Sequence, residues 1–168
     1  VVIGNPPYVK EATNKNAFNG LHKHDCYQGK MDLWYFFGWL ALDIVKNHTG
    51  LIGFIAPNNW ITNDGASNFR NKVLNDSLII EFIDFGDYKV FESAGIQTMI
   101  YIMKQNRNNS NYLPSYSKVI DKTITISEVQ NFLSKTDGQK TEIYKASILK
   151  DDSLDNILNF PNETNNSL

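Results

Sequence analysis

Residues 32–57 read DLWYFFGWLALDIVKNHTGLIGFIAP, and the order of signals in this stretch decides the fold. Asp32 is placed to cap a helix over DLWYFFGWLALDIVKN, and the nearly all-round hydrophobicity of that helix means that it lies against a sheet. Asn47-His48-Thr49-Gly50 ends it. LIGFIAP follows with the length and apolar content of a strand buried on both faces, and Pro57 stops it.

Outward from this pair the same alternation continues. Upstream, Val1 to Ile3 reads as the end of a buried strand, because β-branched residues fit a pleated surface and Gly4 can break the ladder. Downstream, APNNWITND is a loop at a strand's carboxyl end, and Gly65 to Asn75 is a second helix with Phe69, Val73 and Leu74 on one side. LIIEFIDFG and IQTMIYIMK are a third and a fourth apolar strand. This order predicts parallel crossovers in a doubly wound α/β sheet, with ligands at the carboxyl ends of the strands. Only Asp87 to Gly95 separates the last two strands, which is too short for a crossover, so they are expected to run antiparallel. Glu11 to Lys30 is polar and has no period, which suits a mobile loop over a site.

Beyond Lys104 the character changes. QNRNNSNYLP reads as a linker, KTITI and TEIYKASIL alternate weakly, Ser127 to Leu133 is a short helix, and the tail FPNETNNSL reads as unstructured. The chain therefore divides into residues 1–104, which carry the sheet, and 105–168, a linker and a less regular following region.

Lys and Arg number 16 against 18 for Asp and Glu, so the net charge of -2 supplies no overall positive field, and phosphate contacts would have to be local or come from another segment. The single cysteine, Cys26, excludes an intrachain disulfide and points to a reducing compartment. No basic, apolar leader opens the chain, and the longest apolar stretch, Leu33 to Val45, is too short to span a bilayer. A soluble cytoplasmic protein is expected, with no membrane partner. A start inside a core strand without a methionine suggests a fragment's first residue at Val1.

Asn5-Pro6-Pro7-Tyr8 follows the first strand directly. Two prolines fix φ at both positions and remove both N–H groups, and Asn5, which precedes a proline, is pushed into an extended conformation. The result is a stiff loop whose carbonyls are not consumed by a helical turn, with a side-chain amide at one end and a flat ring at the other. This tetrapeptide resembles the catalytic motif of S-adenosylmethionine-dependent amino-methyltransferases, above all the adenine-N6 DNA methyltransferases of type II restriction-modification systems. KMDLWYFFGWLALDIVKNHTGLIGFIAPNNW is similar to a following block of that family, and IDFGDYKVFESAGIQTMIYIMK to the next. The resemblance covers about Val1 to Lys104, as strands 4 to 7 of a Rossmann-like sheet whose last strand is antiparallel.

The resemblance implies a flipped adenine whose amine donates to the Asn5 side-chain oxygen and the Pro6 carbonyl, held by the stiffness of Pro6-Pro7, with Tyr8 and Phe91 stacking on the base. It implies S-adenosylmethionine as cofactor, bound mainly upstream of this chain, because the glycine-rich loop and the ribose-binding acid of the family have no counterpart here. Double-stranded DNA is the implied partner of the full-length protein, and residues 105–168 would lead toward a target-recognition domain. Lys30, Asp32 and Asn58 match positions in the second block and are candidate contacts, although Asp32 is most simply a helix cap. The segment alone is expected to be inactive and to self-associate. Protein-glutamine and ribosomal-RNA guanine methyltransferases also use Asn-Pro-Pro-Tyr, and a non-catalytic DNA-binding subunit is the alternative from another class.

Other signals carry less. His22, His24, Asp25 and Cys26 lack the spacing of a tetrahedral metal site, and the resembled family needs no metal. The aromatic run from Trp34 to Trp39 reads as core packing rather than as a nucleic-acid stacking surface. Asp84-Phe85-Gly86 reads as a strand end.

Overall fold

Strand β1 (Val2–Gly4) lies parallel to β2 (Leu51–Pro57), and helix α1 (Trp34–Ile44) connects them. The computed structural model describes residues 1–91, 95–106, 112–136, 138–151 and 157–163. From β2 the chain passes through α2 (Ser67–Asp76) to β3 (Ser77–Asp84), then to β4 (Thr98–Gln105), β5 (Ser115–Val119), α3 (Ile126–Leu133) and β6 (Thr141–Lys145). These six strands form one mixed sheet in the order β1-β2-β4-β3-β5-β6. β4 is antiparallel to both neighbours and stands between β2 and β3, while β3 and β5 are parallel and β6 is antiparallel to β5. A separate two-stranded ribbon pairs β7 (Leu149–Asp151) with β8 (Ile157–Asn159). Among the described residues no helix is long and apolar enough to cross a membrane.

Strand alternation sorts the side chains into two cores. Ile52, Phe54 and Ala56 of β2 and Met99, Tyr101 and Met103 of β4 face α1 and α2. Trp34, Trp60, Phe69 and Tyr101 meet there with ring centroids 5.3–6.2 Å apart, so the aromatic run of α1 is core packing where it faces inward. Gly38 lets the helices approach, since a Cβ on it would stand 2.5 Å from the Phe69 ring. On the opposite face Ile83, Val119, Val129 and Phe132 gather under α3. That cover reaches only one end of the sheet. Along β2, Leu51 is 37% exposed and Gly53 and Ile55 are half-buried between buried Ile52, Phe54 and Ala56, so β2 is buried on one face and not, as expected, on both.

Three further expectations are corrected. Glu11 to Lys30 is pinned down rather than draped over a site: Phe18 and Cys26 are fully buried, and the Gln28 side chain accepts from Asn68 N (2.7 Å) and Ser67 Oγ (2.9 Å) and donates to the Asp64 carbonyl (2.6 Å). These bonds satisfy the start of α2, which has no cap of its own. KTITI is not a strand. Asp121 accepts from Thr123 N (2.8 Å) to make a turn, and Thr125 with Glu128 forms a capping box that starts α3, so the strand falls earlier, at β5. In the tail, Phe160 packs 4.8 Å from Phe82 and Asn162 bridges to Ala146, so Phe160 to Asn162 is ordered, while residues 164–168 lie outside the described residues. Much of the expected linker, residues 107–111, lies outside them too. The sheet itself continues past residue 104 through β5 and β6.

Candidate active site

β1 delivers Asn5 to the carboxyl end of the sheet, with Asn5 and Pro7 exposed, Pro6 buried and Tyr8 half-buried. Because the two prolines donate nothing, the loop is held from its flanks. Asp32 Oδ1 accepts from Val9 N at 3.0 Å, Leu33 N donates to the Val9 carbonyl at 2.8 Å, and Glu11 N donates to the Met31 carbonyl at 2.9 Å. Helical bonding in α1 starts only at Trp34, whose N–H stands 3.5 Å from Asp32 Oδ1, so Asp32 serves less as a helix cap than as the anchor of the loop's exit. Burial raises the Asp32 carboxyl above its ordinary range, against the hydrogen bonds that lower it.

The Tyr8 hydroxyl reaches Asn5 Oδ1 at 2.6 Å and the Ile55 carbonyl on β2 at 2.9 Å. A phenol has one proton, so the two oxygens share it. Burial, helped by the charge of Asp32, pushes the Tyr8 phenol up to about 12, which keeps that proton in place at neutral pH. Phe91 comes up beside Tyr8 with centroids 6.4 Å apart and planes at 60°. A flat base between two parallel rings needs about 7 Å, twice an ordinary carbon contact. The two rings are therefore brought together edge to face and not as a ready clamp. The small-residue turn after Phe91 falls in residues 92–94, outside the described residues.

Asn58 and Asn59 follow β2 onto the same rim. A cavity of about 380 Å³ is lined by Lys10, Asn58, Asn59, Lys89 and Gln97 among others. A second, of about 440 Å³, holds Lys30 and Asp32 with Lys10, Asn59 and Asn63. The structure thus brings Lys30 and Asp32 together and sets Asn58 in the neighbouring cavity. Lys30 has φ of 53°, and a Cβ on Gly65 would run into its carbonyl, so this turn is wedged against the approach to α2.

Two supporting residues escape a reading of the sequence. Asp84, at the end of β3 and 5% exposed, accepts from Asn58 Nδ2 (3.1 Å), Gly86 N (2.9 Å) and the Tyr116 hydroxyl (3.1 Å), and so orients Asn58. Arg70, fully buried on α2, donates to the Trp60 (2.7 Å) and Asn63 (2.6 Å) carbonyls and clamps the loop that carries Asn58 and Asn59. An aspartate closing an apolar strand and an arginine inside an apolar helix stripe are the signals that could have found them. His24 Nδ1 accepts from Cys26 N (3.1 Å), and its ring meets Phe36 and Trp39.

The model of the Eco57I restriction-modification methylase family matches residues 1–91. The type II methyltransferase M.BanIII of Aneurinibacillus aneurinilyticus is 28% identical over 147 residues, which are 85% of this chain and 23% of that protein. The chain spans about a quarter of the length of that relative. Among solved structures, a nuclease-deletion mutant of the type ISP restriction-modification enzyme LlaGI, in complex with a DNA substrate mimic, superimposes with a TM-score of 0.62 at 18% identity, over 94% of this chain and 15% of that one. A Listeria monocytogenes protein assigned to the class I S-adenosylmethionine-dependent methyltransferases does so with a TM-score of 0.51 at 16% identity, over 80% and 40%. The fold is that of a Rossmann-like methyltransferase sheet, as the resemblance of residues 1–104 implies.

Proposed function

The chain belongs to the Eco57I restriction-modification methylase family, and on that premise we propose that it supplies the base-holding half of a DNA methyltransferase acting on adenine N6. The observation that carries this reading is the Asn5 side-chain oxygen, exposed at the end of a stiff loop and already holding a donor, the Tyr8 hydroxyl, at 2.6 Å. An exocyclic adenine amine is a weak nucleophile because its lone pair is conjugated into the ring. Acceptors for both of its hydrogens, Asn5 Oδ1 and the Pro6 carbonyl, favour a pyramidal nitrogen and stabilise the positive charge that grows on it as it attacks a methyl group. Tyr8 and Phe91 hold the base by stacking. S-adenosylmethionine would supply the electrophilic methyl. This chain has no Gly-x-Gly turn after a strand, which supports a main cofactor site outside it. What Asn5, Pro6 and Tyr8 contribute is orientation of the amine before transfer.

Asn5→Ala in the intact protein tests the proposal. Loss of one of two acceptors in a preorganised site is expected to lower the transfer rate roughly a hundredfold or more, with cofactor binding unchanged. Labelled cofactor offered with unmethylated DNA, release factor and ribosomal RNA, followed by nucleoside analysis, reads both rate and target. Wild-type turnover in the variant, or label confined to protein or RNA, would overturn the assignment.

A further inference from the structure

Two cavities at the carboxyl end of the sheet run into one another. The 380 Å³ cavity between Lys10 and Lys89 shares Asn58, Gly86, Asp87 and Gln97 with a second of about 280 Å³, which ends against Lys118 and Lys122. The joined trough starts two residues from Tyr8 on one wall and two from Phe91 on the other, and leaves toward the end of β5. Its charge is positive on balance, with Lys10, Lys89, Lys118 and Lys122 set against Asp84 and Asp87. Of the two carboxylates that line it, Asp84 is turned inward to Asn58, Gly86 and Tyr116, and Asp87 takes Gln97 Nε2 at 2.5 Å. The ion pairs found among the described residues engage Lys72, Lys135 and Lys140, and none involves Lys10, Lys89, Lys118 or Lys122. Glu142 stands opposite Lys118 across the β5–β6 pair without forming an ion pair with it.

Building on the base-holding role proposed above, we infer that this trough carries the sugar-phosphate backbone of the DNA strand beside the extruded nucleotide. Lysine ammonium groups spaced along an open groove suit a chain of phosphates, and uncharged amides such as Asn59 and Gln97 are common partners of phosphate oxygens. Such contacts carry no sequence information and set register only. They also explain how a chain of net charge -2 can meet a polyanion, since the positive charge is concentrated where the strand must pass.

The test is the salt dependence of DNA binding by the intact protein, read by fluorescence anisotropy of a labelled duplex between 50 and 200 mM salt. Each lost phosphate contact lowers the slope of log affinity against log salt by about 0.7–0.9. For Lys118→Ala with Lys122→Ala the slope is expected to fall by about 1.4–1.8, so that the advantage of the unaltered protein shrinks roughly tenfold across that range. Lys122→Glu alone, on an exposed turn, is expected to move binding the same way without disturbing a strand. Lys46→Ala with Lys104→Ala removes the same charge from the opposite end of the sheet and is expected to leave the slope as it is. An unchanged slope in the first pair, or an equal change in both pairs, overturns the inference. Failure of the unaltered protein to methylate adenine, with the salt effect intact, would count against the base-holding role and leave the trough standing.

Discussion

Tyr8→Phe removes one hydroxyl and keeps the ring, whereas Tyr8→Ala removes both, so the pair separates two jobs that one residue performs. The hydroxyl lies 2.6 Å from Asn5 Oδ1 and 2.9 Å from the Ile55 carbonyl. Asn5 is exposed and its oxygen can turn to water, so the cost of losing the hydroxyl is about one ordinary hydrogen bond, roughly 1 kcal/mol of folding stability. Base holding is affected in the other direction. The incoming amine must take Asn5 Oδ1 away from Tyr8, and in the Phe variant it meets no competitor. Tyr8→Phe is therefore expected to keep kcat/KM within a few-fold of wild type. Tyr8→Ala forfeits a stacking partner worth about 1–3 kcal/mol per base, a loss of about five- to 150-fold. Steady-state methylation of a duplex with a single target adenine measures both, and 2-aminopurine at the target position reports the stacked state. If Tyr8→Phe proved as damaging as Tyr8→Ala, the hydroxyl rather than the ring would be the functional group, and the assignment of Tyr8 as a stacking platform would fall.

Two further outcomes follow from burial. Because burial holds the Asp32 carboxyl above its ordinary range, the folded state binds that proton more tightly than the unfolded one, and stability falls as pH rises from the unfolded pKa through the folded one. Asp32→Asn keeps an oxygen for Val9 N and is expected to flatten this decline in denaturant midpoints as pH rises above the ordinary aspartate range of about 4, and an unaltered pH dependence would show that the carboxyl carries no such penalty. The isolated chain, with Ile3, Leu51 and Ile80 exposed by 81%, 37% and 41%, is expected to self-associate and to bind S-adenosylmethionine no better than background. Light scattering and calorimetry check this, and a monodisperse 19.2 kDa species with micromolar cofactor affinity would refute it.

What could be read from the sequence is what depends on neighbours along the chain. β2, β3 and β4 declare themselves by apolar runs, α2 by Phe69, Val73 and Leu74 falling on one side, and the short connection after β3 announces an antiparallel partner. The stiffness of Asn5-Pro6-Pro7-Tyr8 follows from the covalent structure of proline. The insertion of β4 between β2 and β3 was not legible, because strand order is a property of the sheet and not of any one strand. Phe18, Cys26 and Gln28 anchor a loop that reads as mobile, because three anchors without a period leave no pattern, and the partners of Gln28 lie 36 to 40 residues away. Asp84 was visible only as a strand end, since its role depends on Asn58 and Tyr116, 26 and 32 residues distant.

The site divides into a part that is set before the base arrives and a part that has to give way. The acceptor loop belongs to the first: β1 fixes its entry, Asp32 and the Met31–Leu33 backbone fix its exit, and Tyr8 ties it to β2 through the Ile55 carbonyl. None of these bonds uses the Pro6 N or the Pro7 N, so stacking a base does not require the loop to exchange backbone partners. The second part is the ring pair. Tyr8 and Phe91 touch at 60° where a stacked base wants parallel faces, and the Tyr8 hydroxyl occupies the oxygen that the amine needs. Entry of the base must therefore rotate at least one ring and break one hydrogen bond. Those costs are of the order of a rotamer change and a single exposed hydrogen bond, about 1 kcal/mol each, which is within what stacking on two rings returns. On the proposed role, such a site would admit a base only when both rings can close on it, and discrimination would rest on the fit of a flat heterocycle between Tyr8 and Phe91, with Asn5 and Pro6 reading whether it carries an amine.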